Sequence, residues 1–327
     1  MRSAAAVLAA VSLSAGAVLV SAGTASAQPG LTPSAEGAGP YLALGDSVAF
    51  GYLPSNALPA FPQLRYYYPS TFVSYANDVA SALDLSLTNA SCPGETTASF
   101  INTKAVSNGC ENSPVNGKLV SVGYRTLYPL HVTYTSSMES QLTYALDFLK
   151  ANRNTKLVTI DIGANDAFAC QALYGNECNL SAAIQGAVTN LASIYFAIRT
   201  EANYTGPIVL VNYYSLSYQS DSYGRTQQKL TNELNSALDL PNKDFNVLTA
   251  DGYGAFQVAS AAYGGNVCNA GLLVPVRPRT SYDVPGSPFN CNIHPSLKGH
   301  QVLADAIIQA LQKAGDLGAL TSVRGAA

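Results

Sequence analysis

Apolar and polar positions along the chain follow a repeated order, in which a short apolar run precedes a longer amphipathic segment. The short runs predict strands, and the longer segments, with apolar residues three or four positions apart, predict helices. The predicted strands are residues 41–44, 85–89, 156–162, 207–211 and 245–249. The predicted helices are residues 70–83, 136–152, 181–203, 221–240 and 295–314.

Strands that alternate with helices are typical of an α/β protein whose helices cover both faces of a parallel sheet. We therefore predict a three-layer α/β/α, flavodoxin-like sandwich with a central parallel sheet of about five strands. Such sheets place their ligands at the carboxyl ends of the strands. Two connecting segments, residues 51–69 and 100–135, are too long for simple crossovers, and we expect them to line the cleft at that edge.

Residues 1–27 have the composition of a secretory signal peptide. Arg2 supplies a positive charge, residues 4–20 are small and apolar, and Ala25-Ser26-Ala27 matches a cleavage site. A membrane anchor is the competing interpretation, but no second apolar run of spanning length follows. We expect an extracellular protein without stable membrane insertion, in which residues 28–327 form a single domain.

The cysteine content of the expected exported chain indicates disulfide bonds. An even number of cysteines, six, in an exported chain indicates disulfides, and the absence of a Cys-x-x-Cys pair disfavours zinc and thioredoxin-like redox sites. Six cysteines allow fifteen connectivities, of which the spacing favours pairing between neighbours. We expect the bonds Cys92–Cys110, Cys170–Cys178 and Cys268–Cys291.

Charge and histidine content exclude several function classes. The chain has 17 basic and 20 acidic residues and no basic stripe, so nucleic acid is not an expected partner. The three histidines are His131, His294 and His300, which do not form a cluster with carboxylates along the sequence. We expect no metal and no organic cofactor, and a monomer.

Polar motifs follow three of the predicted strands. Gly45-Asp46-Ser47 comes after the first strand, Gly94 lies in the loop after the second, and Gly163-Ala164-Asn165-Asp166 follows the strand at 156–162. His294-Pro295 opens the last predicted helix. Singly, each motif is an ordinary turn or a lone histidine. Together, a serine at a strand end and a distant histidine are what a serine hydrolase requires.

The order of these motifs resembles that of the SGNH/GDSL hydrolase family: Gly-Asp-Ser, an isolated Gly, Gly-x-Asn-Asp and a late His. The resemblance covers residues 41 to about 314, and the segments 92–97 and 161–166 are similar to its secreted actinobacterial lipase/esterase branch. The α/β-hydrolase elbow Gly-x-Ser-x-Gly is absent, since Ala49 stands where its second glycine would be.

The resemblance implies a role for each matching residue. Ser47 would be the nucleophile and His294 its general base. The backbone N–H groups of Ser47 and Gly94, with the side-chain amide of Asn165, would form the oxyanion hole.

One position departs from the family pattern. The family has Asp-x-x-His, and here Cys291 occupies the place of that aspartate. We expect a backbone carbonyl to hold the His294 ring, which gives a Ser–His dyad. Asn290, Asn292 and Asp283 are the alternative side-chain partners.

These observations predict a secreted carboxylic-ester hydrolase that acts through a serine acyl-enzyme. The resemblance implies that it is a lipase, esterase or phospholipase acting on lipid acyl esters. A carbohydrate acetyl esterase is the alternative substrate class, and a non-catalytic secreted binding module is the alternative of a different kind. Tyrosines in the two long segments either fill half-buried positions or form an amphipathic rim suited to acyl chains or sugars: Tyr66, Tyr67, Tyr68, Tyr124 and Tyr128.

Overall fold

Parallel strands form the central sheet of the protein, which a computed structural model describes over residues 39–58, 66–277 and 283–321. The predicted signal peptide lies outside the described residues. Within them, the central sheet consists of β1 (Pro40–Gly45), β2 (Ser86–Asn89), β5 (Leu157–Asp161), β6 (Ile208–Val211) and β7 (Val247–Ala250), in the order β2-β1-β5-β6-β7. Two antiparallel hairpins add β3 (Ser113–Val115) with β4 (Lys118–Val120), and β8 (Leu273–Val276) with β9 (Asn290–Pro295).

Most of the longer helices begin directly after a residue whose side-chain oxygen accepts a backbone N–H of the first turn, as at Ser74, Ser140, Asp221 and Ser296. The described helices are α1 (Ser47–Phe50), α2 (Tyr75–Leu83), α3 (Thr97–Ile101), α4 (Tyr124–Leu127), α5 (Gln141–Ala151), α6 (Ala164–Tyr174), α7 (Leu180–Thr200), α8 (Ser222–Leu238), α9 (Gly252–Ser260), α10 (Leu297–Ala314) and α11 (Leu317–Thr321).

Strand β1 lies between β2 and β5 in the sheet and contributes side chains to both apolar layers. Tyr41 and Ala43 pack into the layer that contains α2 and α10, whereas Leu42 and Leu44 pack into the layer that contains α5 and α7. Successive side chains of a strand point to opposite faces, so a strand buried on both faces must be apolar throughout. This confirms the predicted three-layer α/β/α sandwich.

Helix α7 is long and apolar enough to cross a membrane by length and composition alone. In the structure, Leu191, Ile194 and Ile198 are completely buried in the layer with α5 and the sheet. The apolar residues of α7 are therefore explained by its packing against the sheet.

Each of the five predicted strands and five predicted helices has a counterpart, but several predicted bounds were wrong. The helix predicted over 136–152 begins at Gln141, and the helix predicted over 70–83 begins at Tyr75, because Ser140 and Ser74 cap them there. The predicted last helix begins at Leu297 after Ser296. Residue His294 consequently belongs to strand β9 and does not open a helix.

The structure joins the cysteines in the pairs that we expected: Cys92–Cys110, Cys170–Cys178 and Cys268–Cys291. The third bond ties β9 to the segment before β8, and it lies three residues before His294. The strand that carries the histidine is thus fixed both by its pairing with β8 and by a covalent bond.

Candidate active site

Ser47 is the first residue of α1, directly after the carboxyl end of β1. Asp46 caps the helix, with its Oδ1 accepting the N–H of Val48 at 2.9 Å. The tight exit from the strand requires glycine at position 45, where φ is +129° and a Cβ would lie 2.0 Å from the carbonyl oxygen of Asp161 on β5. Ser47 therefore stands at a helix N-terminus, where free N–H groups favour negative charge.

Strand β9 brings His294 to this serine across 247 residues of sequence. The Nε2 of His294 lies 2.9 Å from Ser47 Oγ, a hydrogen-bonding distance for a base and its nucleophile. The ring also contacts Tyr52, with centroids 4.9 Å apart. The hydroxyl of Tyr214 donates to the Ile293 carbonyl at 2.6 Å and holds the strand next to the ring.

The partner of the other ring nitrogen differs from our expectation. Nδ1 of His294 contacts the side-chain oxygen of Asn292, which also accepts the backbone N–H of His294 at 3.2 Å. The backbone carbonyl that we expected is thus replaced by an amide side chain two residues earlier. The oxygen of Asn290 instead accepts from Gly286 at 3.4 Å, and Asp283 is half-buried next to Val284, whose backbone pairs with Cys291.

Desolvation lowers the pKa of His294 from 6.5 to about 4. Burial removes the water that would solvate a charged imidazolium, so the neutral form of the ring is favoured. At neutral pH the imidazole is therefore unprotonated, which is the state that a general base requires.

The predicted oxyanion donors lie around the same cleft. Gly94 adopts φ +81°, and a Cβ there would lie 2.5 Å from the carbonyl oxygen of Asn108, so only glycine fits. Among the described residues, the backbone N–H groups of Ser47 and Gly94 have no hydrogen-bond acceptor. Both N–H groups are thus available to a ligand oxygen in the cleft.

The Asn165 amide is held in one orientation. Its Nδ2 donates to Asp46 Oδ2 at 3.1 Å, and its Oδ1 accepts from Asn108 Nδ2 at 2.9 Å. Because an amide nitrogen carries two hydrogens, one remains for the cleft. Asp166, the next residue in the motif, accepts from the N–H and the hydroxyl of Thr97 at 2.9 and 2.6 Å, which ties α6 to the start of α3.

Asp46 and Tyr213 are two site residues that the sequence analysis did not single out. The hydroxyl of Tyr213, which follows β6, donates to Asp46 Oδ2 at 2.8 Å and accepts the N–H of Ala164 at 3.1 Å. Burial raises the pKa of Asp46 to about 6. The Gly-Asp-Ser motif contains Asp46 and was a usable signal, whereas no local pattern marks Tyr213.

A cavity of about 620 Å³ opens next to Ser47 and His294. Both long segments contribute to it, through Tyr52 and through residues of 108–128. Its wall is largely apolar and includes Leu127, Phe168, Leu180, Ile184, Leu216 and Leu234.

The predicted tyrosine rim is present only in part. Tyr124 and Tyr128 line the cavity. Tyr66 is buried in an aromatic cluster that also contains Tyr124, and Tyr67 and Tyr68 are exposed and are not among the lining residues. The rings of Tyr66 and Tyr67 lie 5.2 and 5.4 Å from that of Tyr128, so both pack against a lining residue instead of lining the cavity themselves.

No hydrogen bond joins either of the other two histidines to Ser47 in the described part of the chain. His131 packs on Phe50 and contacts its carbonyl through Nε2 at 3.0 Å, and His300 is buried within α10. In the described part of the chain, the side chains close enough for a common metal ion are those of Cys92, Glu95 and Cys110. Since these two cysteines are bonded to each other, they offer no thiolate ligand.

Comparison with solved structures finds the same fold. The chain is similar to Axe2, an acetylxylan esterase from Geobacillus stearothermophilus, at 15% identity over 86% of this chain and 95% of that chain, with a TM-score of 0.48. A catalytic mutant of Axe2 gives 13% identity over 87% and 96% of the two chains and a TM-score of 0.50.

LAE5, an alpha/beta hydrolase enzyme from the metagenome of Lake Arreo, gives 15% identity over 86% of this chain and 97% of that chain, with a TM-score of 0.47. None of the curated protein sequences matches the chain significantly. At such low identity these likenesses concern the fold only.

The family itself is shown by sequence. A family model described as GDSL-like Lipase/Acylhydrolase matches residues 41–307, which include every motif discussed above. The match spans well over half of the chain and agrees with the strand order of the sheet and with the contact between Ser47 and His294. The chain therefore belongs to the GDSL-like lipase/acylhydrolase family and is a serine ester hydrolase.

Proposed function

We propose that the protein is a secreted lipase or esterase of the actinobacterial GDSL branch, which hydrolyses medium- or long-chain acyl esters. Ser47 is its nucleophile and His294 its general base, with Asn292 orienting the imidazole. The backbone N–H groups of Ser47 and Gly94 and the Asn165 amide form the oxyanion hole. Three disulfides support an extracellular location, since such bonds persist in oxidising compartments.

Acylation begins when Ser47 Oγ attacks the ester carbonyl and its proton passes to His294 Nε2, 2.9 Å away. The carbonyl oxygen gains negative charge and accepts hydrogen bonds from the three oxyanion donors. Asn292 Oδ1 accepts the Nδ1 proton, which fixes the tautomer in which Nε2 is the free base. The imidazolium then gives its proton to the departing alcohol, which leaves an acyl group on Ser47.

Deacylation repeats these steps with water. His294 takes a proton from the water as its oxygen attacks the acyl carbonyl, and the same donors hold the second oxyanion. Collapse of this intermediate breaks the bond to Ser47 Oγ, to which His294 returns the proton. The free acid is released, and no redox or metal-dependent step is involved.

The observation that carries the substrate proposal is the apolar cavity beside Ser47. Its volume of about 620 Å³ far exceeds the needs of an acetyl group, and its wall is largely apolar. Val122, Leu127, Phe168 and Leu230 both line the cavity and are exposed at its opening. Burying an acyl chain there gains about 0.8 kcal/mol per methylene.

The test is the rate of hydrolysis of p-nitrophenyl esters from acetate to palmitate, with Ser47→Ala as the control. We expect kcat/KM to increase with chain length to a maximum at medium or long chains, and to be lost in Ser47→Ala. A maximum at acetate with a steep decline would instead indicate a carbohydrate acetyl esterase.

Fluorophosphonate labelling separates an enzyme from a binding module. Labelling that disappears in Ser47→Ala identifies the nucleophile. An unlabelled wild-type protein would contradict the proposed role of Ser47.

A further inference from the structure

The two strands that carry the nucleophile and the oxyanion loop separate at their carboxyl ends. Strand β1 pairs with β2 as far as Ala43 opposite Asn89. Beyond this pair, the chain after β2 leads into the loop that contains Gly94. Two backbone bonds still join it to β1, from Ala90 N–H to the Ala43 carbonyl at 2.9 Å and from Cys92 N–H to the Gly45 carbonyl at 3.1 Å. The N–H of Gly45 has no strand partner on that side.

The side chain of Gln141 fills this gap. Its Oε1 accepts the Gly45 N–H at 2.6 Å, and its Nε2 donates to the Gly45 carbonyl at 3.1 Å. The same nitrogen donates to Glu95 Oε2 at 3.0 Å. The residue is completely buried, and both hydrogens of its amide nitrogen are used.

Glu95 connects this amide to the oxyanion loop. It directly follows Gly94, it is buried, and its other oxygen contacts the Ser99 hydroxyl in the first turn of α3. Gln141 thus bonds to a residue two positions before Ser47 and to a residue one position after Gly94. Gln141 itself lies in neither motif, at the start of α5.

We propose that Gln141 is a positioning residue, which sets the spacing between the Ser47 nucleophile and the Gly94 oxyanion donor. The inference rests on the roles proposed above for these two residues. An oxyanion donor acts only within about 2.7–3.1 Å of the oxygen it stabilises, and a misplacement of about 1 Å costs about 10² in rate. A side chain that bonds to both loops and fixes their spacing therefore affects kcat.

A carboxamide is the group that this position requires. It offers one acceptor and two donors in one plane, which match the Gly45 N–H, the Gly45 carbonyl and the Glu95 carboxylate. Leucine would leave the Gly45 N–H and the Glu95 carboxylate buried without this partner. Asparagine has the same amide on a side chain one carbon shorter, so it cannot reach all three groups.

The experiment compares Gln141→Leu and Gln141→Asn with the wild type on a medium-chain p-nitrophenyl ester. We expect kcat to fall about 10- to 100-fold while KM stays within about twofold, because the missing interaction acts in the transition state. The affinity for a phenylboronic acid, which forms a tetrahedral adduct on the serine, should fall by a similar factor.

Asn242→Leu is the matched control. Asn242 is a comparably buried amide that bonds to Asp239 and Thr249 and does not line the cavity. Its loss should lower the melting temperature while kcat stays near the wild-type value. Unchanged kcat and boronate affinity in folded Gln141→Asn would overturn the proposal, as would equal kcat losses in this variant and the control.

Glu95→Gln tests the hydrogen bond between Gln141 and residue 95, and it keeps the proposal falsifiable if Gln141→Leu does not fold. An amide oxygen at position 95 still accepts from Gln141, so we expect kcat within about threefold of wild type. A loss as large as that of Gln141→Asn would overturn the assignment of the connection to this acceptor. Failure of the proposed function itself would appear separately, as activity that survives in Ser47→Ala.

Discussion

Replacing Asn292 with alanine tests what orients His294, the proposed general base. In the structure the side-chain oxygen of Asn292 contacts His294 Nδ1, and this oxygen is lost in Asn292→Ala. When His294 takes the Ser47 proton, the ring becomes positively charged, and a hydrogen bond to a charged group contributes about 1.5–3 kcal/mol. At about 1.36 kcal/mol per tenfold change in rate, kcat should fall about 10- to 150-fold.

The assay is steady-state hydrolysis of a medium-chain p-nitrophenyl ester at pH 8, where the imidazole is neutral in every variant. We expect KM to stay nearly constant, because the lost bond strengthens only as the ring becomes charged. Asn290→Ala is the control, since Asn290 accepts from Gly286 at 3.4 Å and should retain wild-type kcat.

Asn292→Asp extends the test. A carboxylate against Nδ1 favours the charged ring, so the pKa of His294 should rise from about 4. The protein has three histidines, so an NMR titration of the imidazole signals can be assigned with single His variants.

The reasoning would be refuted by Asn292→Ala retaining kcat within about twofold while His294→Ala is inactive. In that case a backbone carbonyl would be sufficient to hold the ring. An unchanged His294 pKa in Asn292→Asp would likewise show that residue 292 is not its partner.

Three further predictions concern pH, the oxyanion loop and a disulfide. Burial raises the pKa of Asp46 to about 6, so its carboxylate stops accepting hydrogen bonds as pH falls through that value. We therefore expect kcat/KM to decline below about pH 6, well above the His294 pKa. In Asp46→Asn this decline should disappear, and kcat/KM should be lower than in the wild type at every higher pH. Gly94→Ala should lower kcat about 10²–10³-fold without a matching rise in KM, since the positive φ and the close backbone oppose a Cβ; a kcat near wild type would exclude its N–H as a donor. Replacing Cys268 and Cys291 by serine opens a loop with a sequence separation of 23 and should cost about 3 kcal/mol, or roughly 6–12 °C in melting temperature by calorimetry; an unchanged transition would refute a stabilising role.

The sequence predicted the central sheet because its signals are local. Each strand is a short apolar run, and the alternation of Tyr41, Leu42, Ala43 and Leu44 between two apolar layers is the two-residue period of any strand. The helices were found by their apolar spacing, and their starts were misplaced where a serine cap lies inside the amphipathic segment.

Other elements had no clear local signal. The β8–β9 hairpin contains Pro275 and Cys291 and pairs with an irregular register, so neither strand shows clean alternation. Helices α6 and α9 were also absent from the prediction, and α6 has little apolar asymmetry around its axis. Strands such as β8 and β9 form because they pair with each other, and the order of apolar and polar residues along the chain does not identify that partner.

The sequence by itself identified the candidate catalytic residues, because Ser47, Gly94, Asn165 and His294 each lie in a short motif in the family's order. Tertiary structure decided how they are held. The bonds from Gln141 to Gly45 and from Tyr213 to Asp46 span 96 and 167 residues and depend on loops that meet only at the folded sheet edge. The choice of Asn292 for the His294 ring depends on the backbone path of β9, since several nearby groups have the right chemistry and only three-dimensional geometry selects one of them.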